Sequence, residues 1–214
     1  MTAPNLAIVD YGLGNLFSVA RAAEWAGFRP VLAATSEALL AADAVLLPGV
    51  GAFGDAMANL ARDGLDTAIL EAAKTGKPVI GVCLGLQLLF EESHEFGSHK
   101  GLGLLAGSVE RLPGEEGLKI PSVGWVPVEQ ARDWSGTPLA GLASGAYQYF
   151  VHSYVVRPTE QGVCLSETPF GSHRFCSAVE KGNIFACQFH PERSGWAGLG
   201  IYAGLKNWVT AGQG

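Results

Sequence analysis

An apolar run that breaks on a cysteine between two glycines constrains this chain more than any other feature: Pro78-Val79-Ile80-Gly81-Val82-Cys83-Leu84-Gly85-Leu86-Gln87. Residues 78–82 are apolar without alternation, the pattern of a strand buried on both faces. Leu86, Leu89 and Phe90 follow at helical spacing, which predicts a helix over 84–92. Cys83 then falls on a sharp strand-to-helix turn, the thiol counterpart of a nucleophile elbow. Gly81 and Gly85 suit such a turn, because side chains there would crowd it against the helix. A thiol at a helix N-terminus feels the positive end of the helix dipole, which favours the attacking thiolate. The competing reading, a structural cysteine packed in an α/β core, leaves the glycine frame unexplained.

A nucleophile needs a base, and Ala186-Cys187-Gln188-Phe189-His190-Pro191-Glu192-Arg193 supplies one. Residues 183–189 read as another strand, which puts His190 at a strand end, where open α/β sheets gather their catalytic groups. Pro191 stiffens the exit, and Glu192 can reach back to one imidazole nitrogen while the other faces the thiol. That is the nucleophile, base and orienter of a Cys83–His190–Glu192 triad. A third element follows the strand at 43–47: Pro48-Gly49-Val50-Gly51-Ala52-Phe53-Gly54-Asp55. Its backbone N–H groups can serve the oxyanion made by attack on an amide, with Val50 N–H and Leu84 N–H as candidate donors. No Lys-Ser or Lys-Thr follows this loop, which excludes a P-loop.

Composition bounds the alternatives. A length of 214 residues fits one α/β domain with a sizeable core. The formal charge of −6 argues against nucleic-acid binding. The 48% hydrophobic content suggests that a partner covers one face. The four cysteines show no C-x-x-C spacing, so neither zinc nor a disulfide framework is indicated, and Cys164, Cys176 and Cys187 read as buried small hydrophobes. His94, His99 and His173 read as surface residues without ligand spacing. The absence of a membrane-length apolar run and of a signal peptide points to a cytoplasmic protein with no membrane partner.

Strands are expected at 6–10, 30–33 and 44–47, with helices at 15–26, 55–62 and 65–75 leading to the elbow. Beyond Gly101 the texture changes to short strands, at 108–111, 124–128, 147–155, 163–168, 175–180 and 184–189, closed by a helix at 199–209. The Gly/Pro-rich stretches 112–119 and 130–145 read as surface loops. Trp125 divides evenly between core packing and exposure.

The three motifs together resemble the class I (triad) glutamine amidotransferases. The likeness runs along essentially the whole chain, from Ile8-Val9-Asp10-Tyr11-Gly12-Leu13-Gly14-Asn15 to Tyr149-Phe150-Val151-His152-Ser153-Tyr154 and the His190 segment. It implies an α/β fold: a single three-layer domain over residues 1–214 with a mixed, mostly parallel central sheet. It further implies hydrolysis of L-glutamine to L-glutamate and ammonia through a Cys83 thioester, without metal or cofactor. Carried over by position, Cys83, His190 and Glu192 match the triad, and Gly49 and Val50 match the oxyanion loop, with Leu84 beside them. Gln87, Glu95, Ser153 and Tyr154 fall where the family holds the substrate's amino and carboxylate groups. The 48–54 loop is similar to that of the branch serving histidine biosynthesis, where it rests in an unproductive orientation until the partner is loaded. That branch implies a heterodimer with a separate cyclase/synthase subunit, a (βα)8 barrel that receives the ammonia. Asn15, Ser122, Trp125 and Arg193 would lie at that interface or ammonia exit. The sequence departs from the family pattern at Ser122 and Val126, where His and Asn are usual. Glutaminases for anthranilate or pyridoxal phosphate synthases are a rival reading, disfavoured by the same loop. A cysteine hydrolase or an interaction module on a similar fold is another, and a complete triad argues against the module.

Overall fold

The buried strand around Cys83 lies at the middle of the sheet that organises the molecule. In the computed structural model, which describes residues 3–212, the first half of the chain alternates strand and helix. It runs β1 (Asn5–Val9), α1 (Leu16–Trp25), β2 (Arg29–Ala33), α2 (Ser36–Ala41), β3 (Ala44–Gly49), α3 (Phe53–Arg62), α4 (Leu65–Lys74), β4 (Val79–Cys83) and α5 (Leu84–Leu88). The second half is mostly strand: β5 (Phe90–Ser93), β6 (His99–Lys100), β7 (Leu105–Arg111), β8 (Ser122–Gln130), β9 (Ala146–His152), β10 (Tyr154–Pro158), β11 (Cys164–Phe170), β12 (His173–Lys181) and β13 (Ile184–Cys187). A 3-10 turn at Pro191–Arg193 and α6 (Gly195–Ala211) complete it.

The strands run in the order β2-β1-β3-β4-β13-β12-β10-β7-β5-β6, with β11, β8 and β9 branching from β12. The five strands from β2 to β13 are mutually parallel, while most of the pairings beyond them are antiparallel. Alternation along the central strands sorts their side chains into two cores. Ala7, Val9, Val45, Leu47 and Val79 pack with Leu39, Phe53, Leu60 and Ile69 from α2, α3 and α4. Leu6, Ile8, Leu46, Ile80 and Phe185 pack with Val19 and Ala23 of α1 and with Ile201, Tyr202 and Leu205 of α6. Helices therefore cover both faces of one sheet, giving a single three-layer α/β domain.

Several element boundaries differ from the sequence expectation. The helix expected over 84–92 ends at Leu88, and the chain turns directly into β5. The Leu89 carbonyl accepts from Leu104 N (2.9 Å) and Leu105 N (3.0 Å), and Phe90 pairs with Leu105. Capture by β7 thus overrides the helical spacing of the apolar residues. The strand expected over 147–155 is two strands that break at Ser153, because β9 pairs with β8 while β10 pairs with β7 and β12. Residues 130–145 are not simply a surface loop. Trp134 and Leu139 are buried there, and the Trp134 indole N–H donates to the Leu165 carbonyl (2.8 Å). The short helix α2 has no counterpart among the expected elements; Thr35 caps it by accepting from Ala38 N (3.3 Å).

Candidate active site

Cys83 is both the last residue of β4 and the cap of α5, with φ 56° and ψ −109°. Positive φ at a residue with a Cβ costs about 1–3 kcal/mol, and the packing around this turn enforces it. A Cβ at Gly85 would overlap the Leu47 carbonyl, and one at Gly81 would come within 2.9 Å of Ala186 Cβ and of Gly85 backbone atoms. The two glycines thus let α5 lie against β3 and β13, which aims the thiol out of the sheet's C-terminal edge. A helix of five residues carries little macrodipole. The positive charge available to the sulfur is the imidazole, not the helix.

That imidazole is held from several sides. His190 follows β13, and its backbone N–H donates to the Tyr149 carbonyl (2.9 Å). Ser194 Oγ donates to the His190 carbonyl (2.7 Å) and accepts from Tyr149 N (2.9 Å), tying the turn to β9. His190 Nδ1 lies 2.8 Å from Glu192 Oε1, with both side chains almost completely buried. The carboxylate accepts, so Nδ1 carries the proton and Nε2 is directed to the remaining partner. Nε2 makes no hydrogen bond of ordinary geometry, yet it lies close enough to Cys83 for the sulfur to act on it. Burial works to lower the His190 pKa. Hydrogen bonding and charge from Cys83 and Glu192 outweigh it and raise the value from 6.5 to about 10. The arrangement holds His190 as an imidazolium at neutral pH.

Gly49, at the end of β3, pairs in register with Cys83. Val50 follows, 44% exposed, at the mouth of a cavity of about 260 Å³. Leu84 is the first residue of α5, so its N–H has no intrahelical acceptor. The cavity brings Cys83, Val50 and Leu84 together with Gln87, Glu95, Ser153 and Tyr154, all four of the residues expected to hold substrate. Two of them already have protein partners. Glu95 Oε2 accepts from Phe53 N (2.7 Å) at the start of α3, which leaves Oε1 for a ligand. Gln87 is buried, and its amide donates to the Tyr154 carbonyl (3.1 Å) and to Gln188 Oε1 (3.0 Å). Gln87 therefore braces the pocket wall, with only its Oε1 left for substrate.

The four residues expected at the partner interface fall in three places. Trp125 is 53% exposed and packs edge-on to Tyr149 with centroids 6.2 Å apart. The Arg193 guanidinium lies over the same Tyr149 ring at 4.3 Å. Tyr149 in turn stands 6.4 Å from the His190 ring, so this cluster adjoins the triad. Ser122 lines a second cavity of about 640 Å³, which shares Pro121 with the first. Asn15 acts locally, its side chain capping α1 by accepting from Ser18 N (3.3 Å).

Three residues stand in the site that the sequence motifs did not single out. Gln188 Nε2 lies 3.6 Å from Cys83 Sγ and joins the nucleophile to Gln87. His152 borders the cavity, and its Nδ1–H donates to the Tyr154 carbonyl (3.0 Å). Burial, assisted by the nearby His190, pushes its pKa down to about 4, so it stays neutral. Tyr11 lies buried beneath the Pro48–Gly49 segment. All three lie within the motif segments, Gln188 two residues before His190 and His152 directly before Ser153, but nothing in those segments marks a role for them. Cys176 and Cys187 are buried as expected, whereas Cys164 is half-buried at a bulge in β11. Among the described residues no three His, Cys, Asp or Glu side chains cluster as metal ligands would.

Comparison with known proteins places the chain in a family. The family "Glutamine amidotransferase class-I" matches residues 7–198. Among solved structures, a chain of PurLQS from Thermotoga maritima superposes with a TM-score of 0.73 at 23% identity, covering 97% of this chain and 100% of that one. The glutaminase domain of a Trypanosoma brucei CTPS with bound acivicin gives 0.69 at 19% identity, covering 98% and 94%. These two likenesses speak for the fold. The chain belongs to the class-I glutamine amidotransferase family and is a glutamine amidotransferase. Within that class it falls among the subunits HisH of imidazole glycerol phosphate synthase. The protein of that name from Symbiobacterium thermophilum is 47% identical over 204 residues, 95% of this chain and 92% of its own. The one from Aquifex aeolicus is 46% identical over 200 residues, 93% and 94% respectively.

Proposed function

We propose that residues 1–214 form one glutaminase subunit that hydrolyses L-glutamine on Cys83, His190 and Glu192 and passes ammonia to a separate cyclase subunit, a (βα)8 barrel, for imidazole glycerol phosphate formation in the cytoplasm. The observation that carries this is the buried His190–Glu192 pair at 2.8 Å, set against a cysteine on a strained elbow. Cys83 Sγ attacks the carboxamide carbon, and the carbonyl oxygen becomes an oxyanion facing the Val50 and Leu84 N–H groups. The imidazolium gives its Nε2 proton to the departing nitrogen, which leaves as ammonia. His190, now neutral, takes a proton from water as the water attacks the thioester, releasing glutamate and restoring the resting pair. Glu192 fixes the tautomer throughout and stays ionised. Glu95 Oε1 and the Ser153–Tyr154 segment face the substrate's amino and carboxylate groups. Ammonia would leave past Pro121, which lines both cavities, and Ser122 toward the partner. Relatives named as synthase subunits support the acceptor. The test is glutamate release by the complex with candidate cyclases. Cys83→Ala should abolish release while leaving complex formation intact, and release within tenfold of the wild type would overturn the assignment.

A further inference from the structure

The parallel ladder between β1 and β3 stops at the pair Ile8–Leu46. Pro48, two residues further along β3, presents its carbonyl on the same side as Leu46 but has no strand beside it there. Tyr11, just beyond the end of β1, fills the gap: its hydroxyl donates to the Pro48 carbonyl at 2.8 Å. The side chain is 1% exposed. The same oxygen occupies the place a Cβ on Gly49 would take, and Leu84 Cβ would lie 2.9 Å from that Cβ on another side. One phenol therefore does two things. It fixes the peptide plane between Pro48 and Gly49, and it forms the floor beneath Gly49.

The next peptide plane, Gly49–Val50, carries the N–H that the proposed function places at the oxyanion. Its orientation depends on rotation about Gly49, a residue locked upstream and unobstructed downstream, where Val50 is half exposed. We infer that Tyr11 is the positioning residue of the oxyanion site: its hydroxyl clamps the Pro48 carbonyl so that the Gly49–Val50 peptide pivots between two defined orientations. This rests on the reading of Val50 N–H as an oxyanion donor. A donor contributes to the transition state only when it lies within about 2.7–3.1 Å of the developing charge, so loosening the plane before it blurs that placement. Burial, with the nearby Cys83 adding to it, raises the Tyr11 pKa, so the phenol keeps its proton and stays a donor at any working pH.

Tyr11→Phe removes the hydroxyl and nothing else. In the synthase complex it should lower kcat for glutamine about tenfold and leave KM unchanged, since Tyr11 touches neither Glu95 nor Tyr154. Alkylation of Cys83 by iodoacetamide needs the sulfur and its imidazole but no oxyanion site, and should proceed at the wild-type rate. A kcat within twofold of the wild type overturns the inference. So does a kcat that falls in step with the alkylation rate, because that outcome makes Tyr11 a support for the thiol or the fold. Equal wild-type rates with and without the nucleotide-loaded cyclase would exclude the pivot and overturn the inference, while leaving the proposed function of Cys83, His190 and Glu192 to its own test.

Discussion

The two histidines at this site show how burial acts on the same side chain with opposite outcomes. His152 meets a carbonyl on one side and the aromatic ring of Phe175, 5.1 Å away, on another, so desolvation decides and it stays neutral. His190 is also penalised by burial, but Cys83 and Glu192 reverse the outcome. Their effects on stability have opposite sign. The folded pKa of His190 lies above its ordinary 6.5, so its contribution is whole below about pH 6.5 and is lost as pH rises through about 10. The folded pKa of His152 lies below 6.5, so its contribution is present above that value and is lost as pH falls toward about 4. In the proposed mechanism the proton on His190 is the one that ammonia takes away. The alkaline limb of kcat/KM should therefore fall near pH 10 in the wild type. Glu192→Gln, which removes one of the groups holding that proton, should move the limb to lower pH and cost about tenfold less in kcat than His190→Asn. Pre-steady-state and steady-state pH profiles check both statements. A defect in Glu192→Gln as large as that of His190→Asn would mean that Glu192 does more than orient.

At the scale of elements, the elbow depends on backbone contact more than on helix length. α5 has five residues, all buried, wedged between β3 and the start of β5. Gly85 makes this possible, because any side chain there meets the Leu47 carbonyl. Gly85→Ala should destabilise the fold by about 1–3 kcal/mol, the usual cost of overpacking a tight core, and displace Cys83 enough to lower activity further than the stability loss explains. Urea unfolding and glutaminase assays on the same preparation separate the two, and an unchanged unfolding midpoint would contradict the packing argument. The elbow is legible in the sequence because its constraints are local: a doubly buried strand, two glycines and a cysteine between them. The triad is legible for the same reason, since His190 and Glu192 are two residues apart and Pro191 restricts the turn joining them. What stays hidden is non-local. Nothing near Leu89 in sequence announces that β7 will capture its carbonyl, and so the apolar spacing alone extends the helix too far. Gln188 and Tyr11 act through Cys83 Sγ and Pro48 O, 105 and 37 residues away, and no periodicity records such a contact.

At the scale of the whole molecule, the site opens beside a face that a monomer would not be expected to leave bare. Val123 and Trp125 on β8 and Tyr147 on β9 are each more than half exposed, and they share the outer surface of a two-stranded ribbon. Tyr149, on the same face of β9 as Tyr147, joins that ribbon to the base: its carbonyl accepts from His190 N, and its ring lies under Arg193 and edge-on to Trp125. A partner seated on the ribbon would therefore press on residues one contact away from the base, and through Pro121 on the wall that the two cavities share. Val50 lines the cavity beside Cys83, and with its N–H as the proposed oxyanion donor, the orientation of the Gly49–Val50 peptide decides whether an N–H or a carbonyl faces the developing charge. One donor there is worth about 2.7–4 kcal/mol, or roughly a hundred- to a thousandfold in rate. A ligand of the partner can supply that only by binding the donor-in orientation better than the other. The isolated chain should accordingly hydrolyse glutamine slowly, and the cyclase with its nucleotide bound should raise kcat by about two to three orders of magnitude. Val50→Pro, which deletes the donor, should assemble with the cyclase normally and fail to respond. Steady-state glutamate production by chain, complex and nucleotide-loaded complex measures this. Equal wild-type rates in all three would exclude a switch at this peptide and leave the proposed triad untouched, because the His190–Glu192 pair lies outside the switching segment and is already formed in the uncomplexed chain.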